Sequence, residues 1–180
     1  NKIKKVCGIL NGTSNFILSK MQETNRSFSL ILEEAKKLGY AESDPSFDIN
    51  GMDSAHKISI ISMISFGNLI NSSHVYVEGI EDIEIEDINY SDTLGYKIKL
   101  LGITELDKGC VKSFVYPCLL SSDSFIAKVD GVYNGVVVES TFCKKTFFVG
   151  EGAGAYPTAT SVLSDIINLS QIFLVLLVLQ

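Results

Sequence analysis

The stretch AKKLGYAESDPSFDINGMDSAHK, residues 35–57, gathers Glu42, Asp44, Asp48, Asp53 and Lys57 into a turn-rich segment that leads into an uncharged helix. Proline disfavours helical geometry in the residue before it, so Asp44-Pro45 is expected to stop the preceding helix. Asn50-Gly51 is a turn dipeptide, and Asp53 is placed to cap the helix that follows. No charged residue occurs from 58 to 73, and Ile58, Ile61, Met63, Ile64 and Phe66 predict a buried helix. Lys57, Ile61 and Ile64 stand at i, i+4, i+7, which sets Lys57 where the apolar stripe meets the loop, partly out of water. Burial disfavours an ammonium unless a carboxylate compensates, and Asp53 is one helical turn away. Acids so clustered can grip a cationic group, and the lysine can move a proton. An arbitrary Asp-x3-Lys pair, by contrast, is an ordinary surface ion pair worth a few tenths of a kcal/mol.

Outward from this segment, the spacing predicts a helix over 28–38 with Leu30, Ile31, Ala35 and Leu38 on its inner side, closed by Gly39. Upstream, residues 2–10 read as a strand that runs into Asn11-Gly12-Thr13-Ser14-Asn15 and a helix over 15–23. Glycine there allows a ligand to approach the backbone, and helix-start amides favour an anion. The same residues also make an ordinary helix cap. Downstream, 75–80 reads as a short strand and 85–94 as an amphipathic helix closed by Gly95. Residues 96–105 and 110–120 are β-rich runs joined by Leu106-Asp107-Lys108-Gly109, a hairpin signal. A short helix near 124–129, strands over 131–140 and 146–149, and a helix over 158–169 complete the pattern.

Helices first and antiparallel strands after them point to an α+β fold: a mixed, mostly antiparallel sheet with helices on one face. The other face is also apolar, with Val115 and Val137 assigned to it, and is expected to lie in a dimer interface. Residues 1–150 are expected to form one domain. Residues 151–180 form a glycine turn and a C-terminal helix. The turn, Gly150-Glu151-Gly152-Ala153-Gly154, is half of a dinucleotide fingerprint by itself, but no βαβ unit follows it.

At 180 residues the chain is long enough for a real core. A net charge of -6, from 15 basic and 21 acidic residues, and the absence of a basic run argue against a nucleic-acid partner. Cys7, Cys110, Cys118 and Cys143 show no CxxC or metal-ligand spacing, and with only His56 and His74 no metal site is expected. The cysteines read as reduced, buried thiols of a cytoplasmic protein. The apolar run 172–179 falls far short of the roughly 20 residues that span a bilayer, so no membrane partner is expected. The chain opens at Asn1 without methionine or signal sequence, and is expected to be a fragment or processed product.

Three segments in order resemble one family. The spacing Ala-x3-Gly-Tyr-Ala-x2-Asp-Pro-x2-Asp-Ile-x-Gly-x-Asp-x3-Lys over residues 35–57 is similar to the homoserine dehydrogenase signature. GILNGTSNFIL at 8–18 resembles the stretch that enters that family's catalytic domain, and GEGAGAYPT at 150–158 resembles the one that closes it. The resemblance implies NAD(P)-dependent, reversible reduction of L-aspartate 4-semialdehyde to L-homoserine, on the route to threonine and methionine. It implies Lys57 as general acid and base, with Asp53 holding it. It places Gly12, Thr13, Tyr40, Glu42 and Asp48 at the substrate, with Glu42 on its ammonium. Gly12, Gly152 and Gly154 would touch NADP or NAD. The family's dinucleotide-binding domain lies upstream of the segment matched here, so this chain by itself is expected to be inactive. The other reading is a non-catalytic dimerisation module.

Overall fold

The computed structural model describes residues 1–67 and 70–178, with the side chains of the last helix described to Gln171. The chain divides into two units, Asn1–Gly150 and Glu151–Gln180. In the first, β1 (Ile3–Ile9) runs into α1 (Gly12–Thr24), followed by α2 (Phe28–Leu38), α3 (Ser46–Ile49) and α4 (Met52–Phe66). After β2 (Tyr76–Val77) and α5 (Ile85–Thr93) come β3 (Tyr96–Asp107), β4 (Cys110–Ser121), β5 (Tyr133–Ser140) and β6 (Lys144–Glu151). The sheet order is β2-β4-β3-β1-β5-β6. β1 is antiparallel to both β3 and β5, β3 is antiparallel to β4, and β2 is parallel to β4. The α+β expectation holds. The hairpin also forms, tightened to two residues, because Lys108 and Gly109 both take positive φ (49° and 86°) and so match the strands' twist.

One face of the sheet is covered by the helices. The pairs Gly8↔Gly102, Gly102↔Val115 and Gly8↔Val136 share that face. Its core joins Leu10, Ile17, Met21, Ile31, Ile49, Ile58, Leu100 and Val115. Each such side chain contributes about 1.5–3 kcal/mol on burial. Val115 therefore belongs under the helices, not on the opposite face, because the pleat sends direct partners to the same side. Val137 does lie opposite, beside Ile9, Leu101 and Ile103, where the 3₁₀ turn Ile126–Lys128 and Val129 cover part of the surface. Cys7, Tyr116, Cys118, Leu120 and Phe147 remain half-buried there.

Several boundaries and faces differ from the sequence expectation. α1 begins at Gly12, three residues early. α2 buries Ile31 and Ala35 but leaves Leu30 and Leu38 more than half exposed. α2 ends at Gly39 (φ +76°), so Asp44-Pro45 does not stop it. Pro45 instead opens α3, where its fixed φ suits a helix start. Asp44 accepts from the Ser46 amide at 3.1 Å, and the Ser46 hydrogen bonds hold its carboxyl below the usual value. Asp53 is not the cap of α4; Gly51 (φ +86°) takes that position and Asn50 Oδ1 accepts from the Met52 amide. α4 buries Ser54, Ala55, Ile58, Ser59 and Ser62. Ile60, Met63 and Ile64 are exposed. Small side chains let the helix sit close to the sheet; a Cβ on Gly102 would already meet the Ile58 Cβ at 3.4 Å.

A buried lysine ties this unit together. Lys99 Nζ, 1% exposed, lies 2.8–3.0 Å from four acceptors, Asn15 Oδ1, Ser19 Oγ, the Val129 carbonyl and Asp130 Oδ1, which share its three N–H donors. Burial pushes its pKa down against the pull of Asp130. In the second unit, α6 (Ala155–Val178) follows Gly154 (φ +119°), and is longer than the predicted 158–169. The helix includes the apolar run as far as Val178; Leu179 lies outside the described residues.

Candidate active site

The site grows from the end of β1. Asn11 leaves the strand in extended geometry (φ -128°, ψ 119°) and caps α1, its Oδ1 accepting from the Ser14 amide at 2.8 Å. That bond fixes the orientation of the amide, so Nδ2 points the other way. There it donates to Asp48 Oδ1 at 2.7 Å and Asp53 Oδ2 at 2.8 Å. Lys57 Nζ reaches the same Asp53 oxygen at 2.7 Å and the Leu10 carbonyl at 3.0 Å. Asp48 is further anchored through its carbonyl, which accepts from Ser14 Oγ at 2.7 Å.

The backbone that carries the acids is fixed by close approach. Gly79 passes over Ile49 and Asn50 so tightly that a Cβ would stand 2.3 Å from the Ile49 carbonyl oxygen. The Ile80 amide donates to that carbonyl at 2.8 Å. Gly51, in left-handed geometry, lies against Val77 and Val115. Asp48 and Asp53 thus project from a turn clamped onto the sheet edge.

The structure brings Asp48, Asp53 and Lys57 into one hydrogen-bonded chain. Thr13 and Tyr40 meet beside it: Thr13 Oγ1 donates to the Tyr40 carbonyl at 2.7 Å, and the Tyr40 ring packs against Phe16 at a 56° tilt with centroids 5.0 Å apart. Glu42, two residues on, is exposed and has no ion pair among the described residues. Gly12 has a structural reason for being glycine, since a Cβ would stand 2.7 Å from the Val132 carbonyl oxygen. Its hydrogen faces the protein's own backbone. Gly152 and Gly154 belong to the second unit. Lys57 is less desolvated than its spacing implied, with its side chain 45% exposed.

Sequence reasoning missed Asn11, the Leu10 carbonyl and Asn134. Asn134 Nδ2 also points to the Leu10 carbonyl, at 3.4 Å, while its buried Oδ1 has no partner among the described residues. The Asn-x2-Ser cap pattern was the available signal for Asn11. Nothing in the sequence pattern marks a carbonyl or a residue more than a hundred positions away.

Chemically, two carboxylates and one ammonium leave this cluster with excess negative charge, increased by the nearby Glu42 segment. It suits a ligand that carries a cation. Lys57 Nζ, with its side chain 45% exposed, can present a donor proton to the surface while it holds Asp53 Oδ2. Among the described residues no group of His, Cys, Asp and Glu side chains is arranged to hold a metal ion. Nor is any described helix long and apolar enough to cross a membrane.

The family model for homoserine dehydrogenase matches residues 1–167. The homoserine dehydrogenase of Neisseria gonorrhoeae is 47% identical over 172 residues, covering 96% of this chain and 40% of that protein. That of Pseudomonas aeruginosa is 45% identical over 93% of this chain and 39% of its own length. The chain therefore spans about 40% of the relatives it matches. Among solved structures, a homoserine dehydrogenase from Thiobacillus denitrificans superposes with a TM-score of 0.95 at 43% identity, over 97% of this chain and 41% of that one. A hyperthermophilic archaeal homoserine dehydrogenase mutant in complex with NADPH gives 0.78 at 30% identity, over 94% of this chain and 48% of its own. With a family match across most of its length and these relatives, the chain belongs to the homoserine dehydrogenase family.

Proposed function

We propose that this chain is the substrate-handling and proton-transfer part of a homoserine dehydrogenase, which interconverts L-aspartate 4-semialdehyde and L-homoserine with NADP or NAD. The observation that carries the reading is the chain of contacts from Asp48 through Asn11 and Asp53 to Lys57. Glu42 takes the substrate ammonium, since a charge-assisted bond there fixes orientation. Lys57 protonates the aldehyde oxygen as it becomes an alkoxide, and removes that proton in the reverse direction. Asp53 holds Lys57, and Asp48 completes the polar shell with Thr13, Tyr40 and the Gly12 backbone.

The nicotinamide, when bound, supplies or accepts the hydride. The described residues do not fit the grip on its pyrophosphate. The segment from Gly150 to Gly154 joins strand β6 to helix α6, but among the described residues it belongs to no parallel βαβ unit, and the parallel pair β2–β4 is two residues long and does not include β6. Gly152 and Gly154 are assigned a contact with the cofactor from one side.

The half-buried face around Cys7, Tyr116, Cys118 and Val137 supports a second element of the reading, a homodimer joined through the sheet. A non-catalytic dimerisation module shares that face but gives no use to the Asp53–Lys57 pair. Homoserine-dependent NAD(P)H formation by the full-length gene product tests the choice. Activity that disappears in Lys57→Ala supports the enzyme. A dimer with no activity at any homoserine concentration supports the module.

A further inference from the structure

We propose that Asn11 is a positioning residue of this site, bridging the two carboxylates and, through Asp53, fixing where Lys57 holds its proton. The proposal rests on the dehydrogenase reading for its kinetic consequence, and on geometry alone for the bridge itself. Asn11 is 6% exposed and its side chain is fully committed: Oδ1 to the Ser14 amide, Nδ2 to Asp48 and to Asp53. An amide has two N–H donors and both are spent on carboxylates of the site.

Two consequences follow from where those donors go. Asp48 and Asp53 are brought within reach of one nitrogen, an arrangement that like charges resist without a donor between them. Asp53 Oδ2 accepts from both Asn11 and Lys57. No hydrogen bond among the described residues engages Asp48 Oδ2 or Asp53 Oδ1. Asn11 therefore consumes one oxygen of each carboxylate and leaves the other for an incoming donor. It also couples the start of α1 to the start of α4, so the helix cap and the orientation of Lys57 depend on the same side chain.

Asn11→Ser separates these roles, since serine keeps the cap but cannot donate to two carboxylates. In the full-length gene product, Asn11→Ser is expected to lower kcat at least tenfold, with KM for homoserine changing less and Tm staying within a few degrees. In a Lys57→Ala background the same change should lower kcat no further, because its effect runs through Lys57. An unchanged kcat in Asn11→Ser, or a full additive loss in the Lys57→Ala background, overturns the proposal and leaves Asn11 a helix cap. If Asn11→Ser does not fold, or if the full-length protein does not oxidise homoserine, NMR of the present chain decides the bridge. Both Asn11 amide protons should exchange slowly and show through-bond couplings to the Asp48 and Asp53 carboxyl carbons. Rapidly exchanging, uncoupled amide protons overturn it.

Discussion

Lys57 Nζ lies 2.7 Å from Asp53 Oδ2, one turn up the same helix, and the pair is held from outside that helix by Leu10 and Asn11. An i,i+4 pair on a free helix is worth a few tenths of a kcal/mol. Here the Leu10 carbonyl and the Asn11 amide fix both ends, so the ammonium has a defined place instead of a range of rotamers.

Lys57→Ala in the full-length protein should lower kcat by about 10²-fold or more, the usual size of a general acid–base contribution. KM for homoserine should change less. Steady-state kinetics in the oxidative direction measures this, and near-normal turnover would remove Lys57 from the mechanism.

Glu42→Gln should act mainly on KM. A carboxylate that holds the substrate ammonium binds ground state and transition state alike, so its loss weakens binding without touching the chemical step. The same assay with homoserine varied reads the effect. An unchanged KM would transfer the ammonium to Asp48.

Asp130→Asn should destabilise the chain by about 2 kcal/mol or more at pH 7, because it leaves the Lys99 charge buried without its counter-ion. The loss should depend on pH. Burial pushes the Asp130 carboxyl up, but hydrogen bonds from Lys99 and Lys97 outweigh it and hold the carboxyl below its ordinary value of 3.8. Ionised Asp130 thus adds stability above that value, which is lost as pH falls through the lower, folded one. Urea unfolding of both proteins should show their difference shrinking in strong acid; a constant difference would contradict the assignment.

The cysteines should fall into two classes. Cys110, next to the β3–β4 turn, and Cys143, before β6, are exposed and not buried as the sequence suggested, whereas Cys118 is pushed up to about 11 by burial with the Cys7 thiol beside it. Burial also raises Cys7. At pH 8 only about a thousandth of Cys118 is thiolate, the reactive form. A thiol-disulfide reagent should label Cys110 and Cys143 promptly and Cys7 and Cys118 much later, read by mass spectrometry of peptides. Equal labelling would mean that the sheet face is open.

The hairpin, the ends of α2 and the clustering of Asp48, Asp53 and Lys57 were legible because each is written in local sequence: a turn dipeptide, a glycine after a helix, a spacing of four. The face of α4 was not. Isoleucines and methionine lie all around that helix, so periodicity could not choose between its sides, and the buried side is the one with serines. Val115 was misplaced for a related reason, since strands apolar on both faces do not reveal which side the helices cover. Asn11 was overlooked as a site residue because its partners are 37 and 42 residues away, a distance that only the fold closes.

The serine face of α4 has a mechanical consequence. A helix that rests on a sheet through Ser59 and Ser62 is seated at a depth set by very short side chains. Any larger residue there would act as a shim, lifting the helix and carrying Lys57 away from the Leu10 carbonyl, which stays with β1. Turnover would then track the volume of residues that never meet a substrate, and graded substitutions at Ser59 and Ser62 would work as a mechanical adjustment of the reaction.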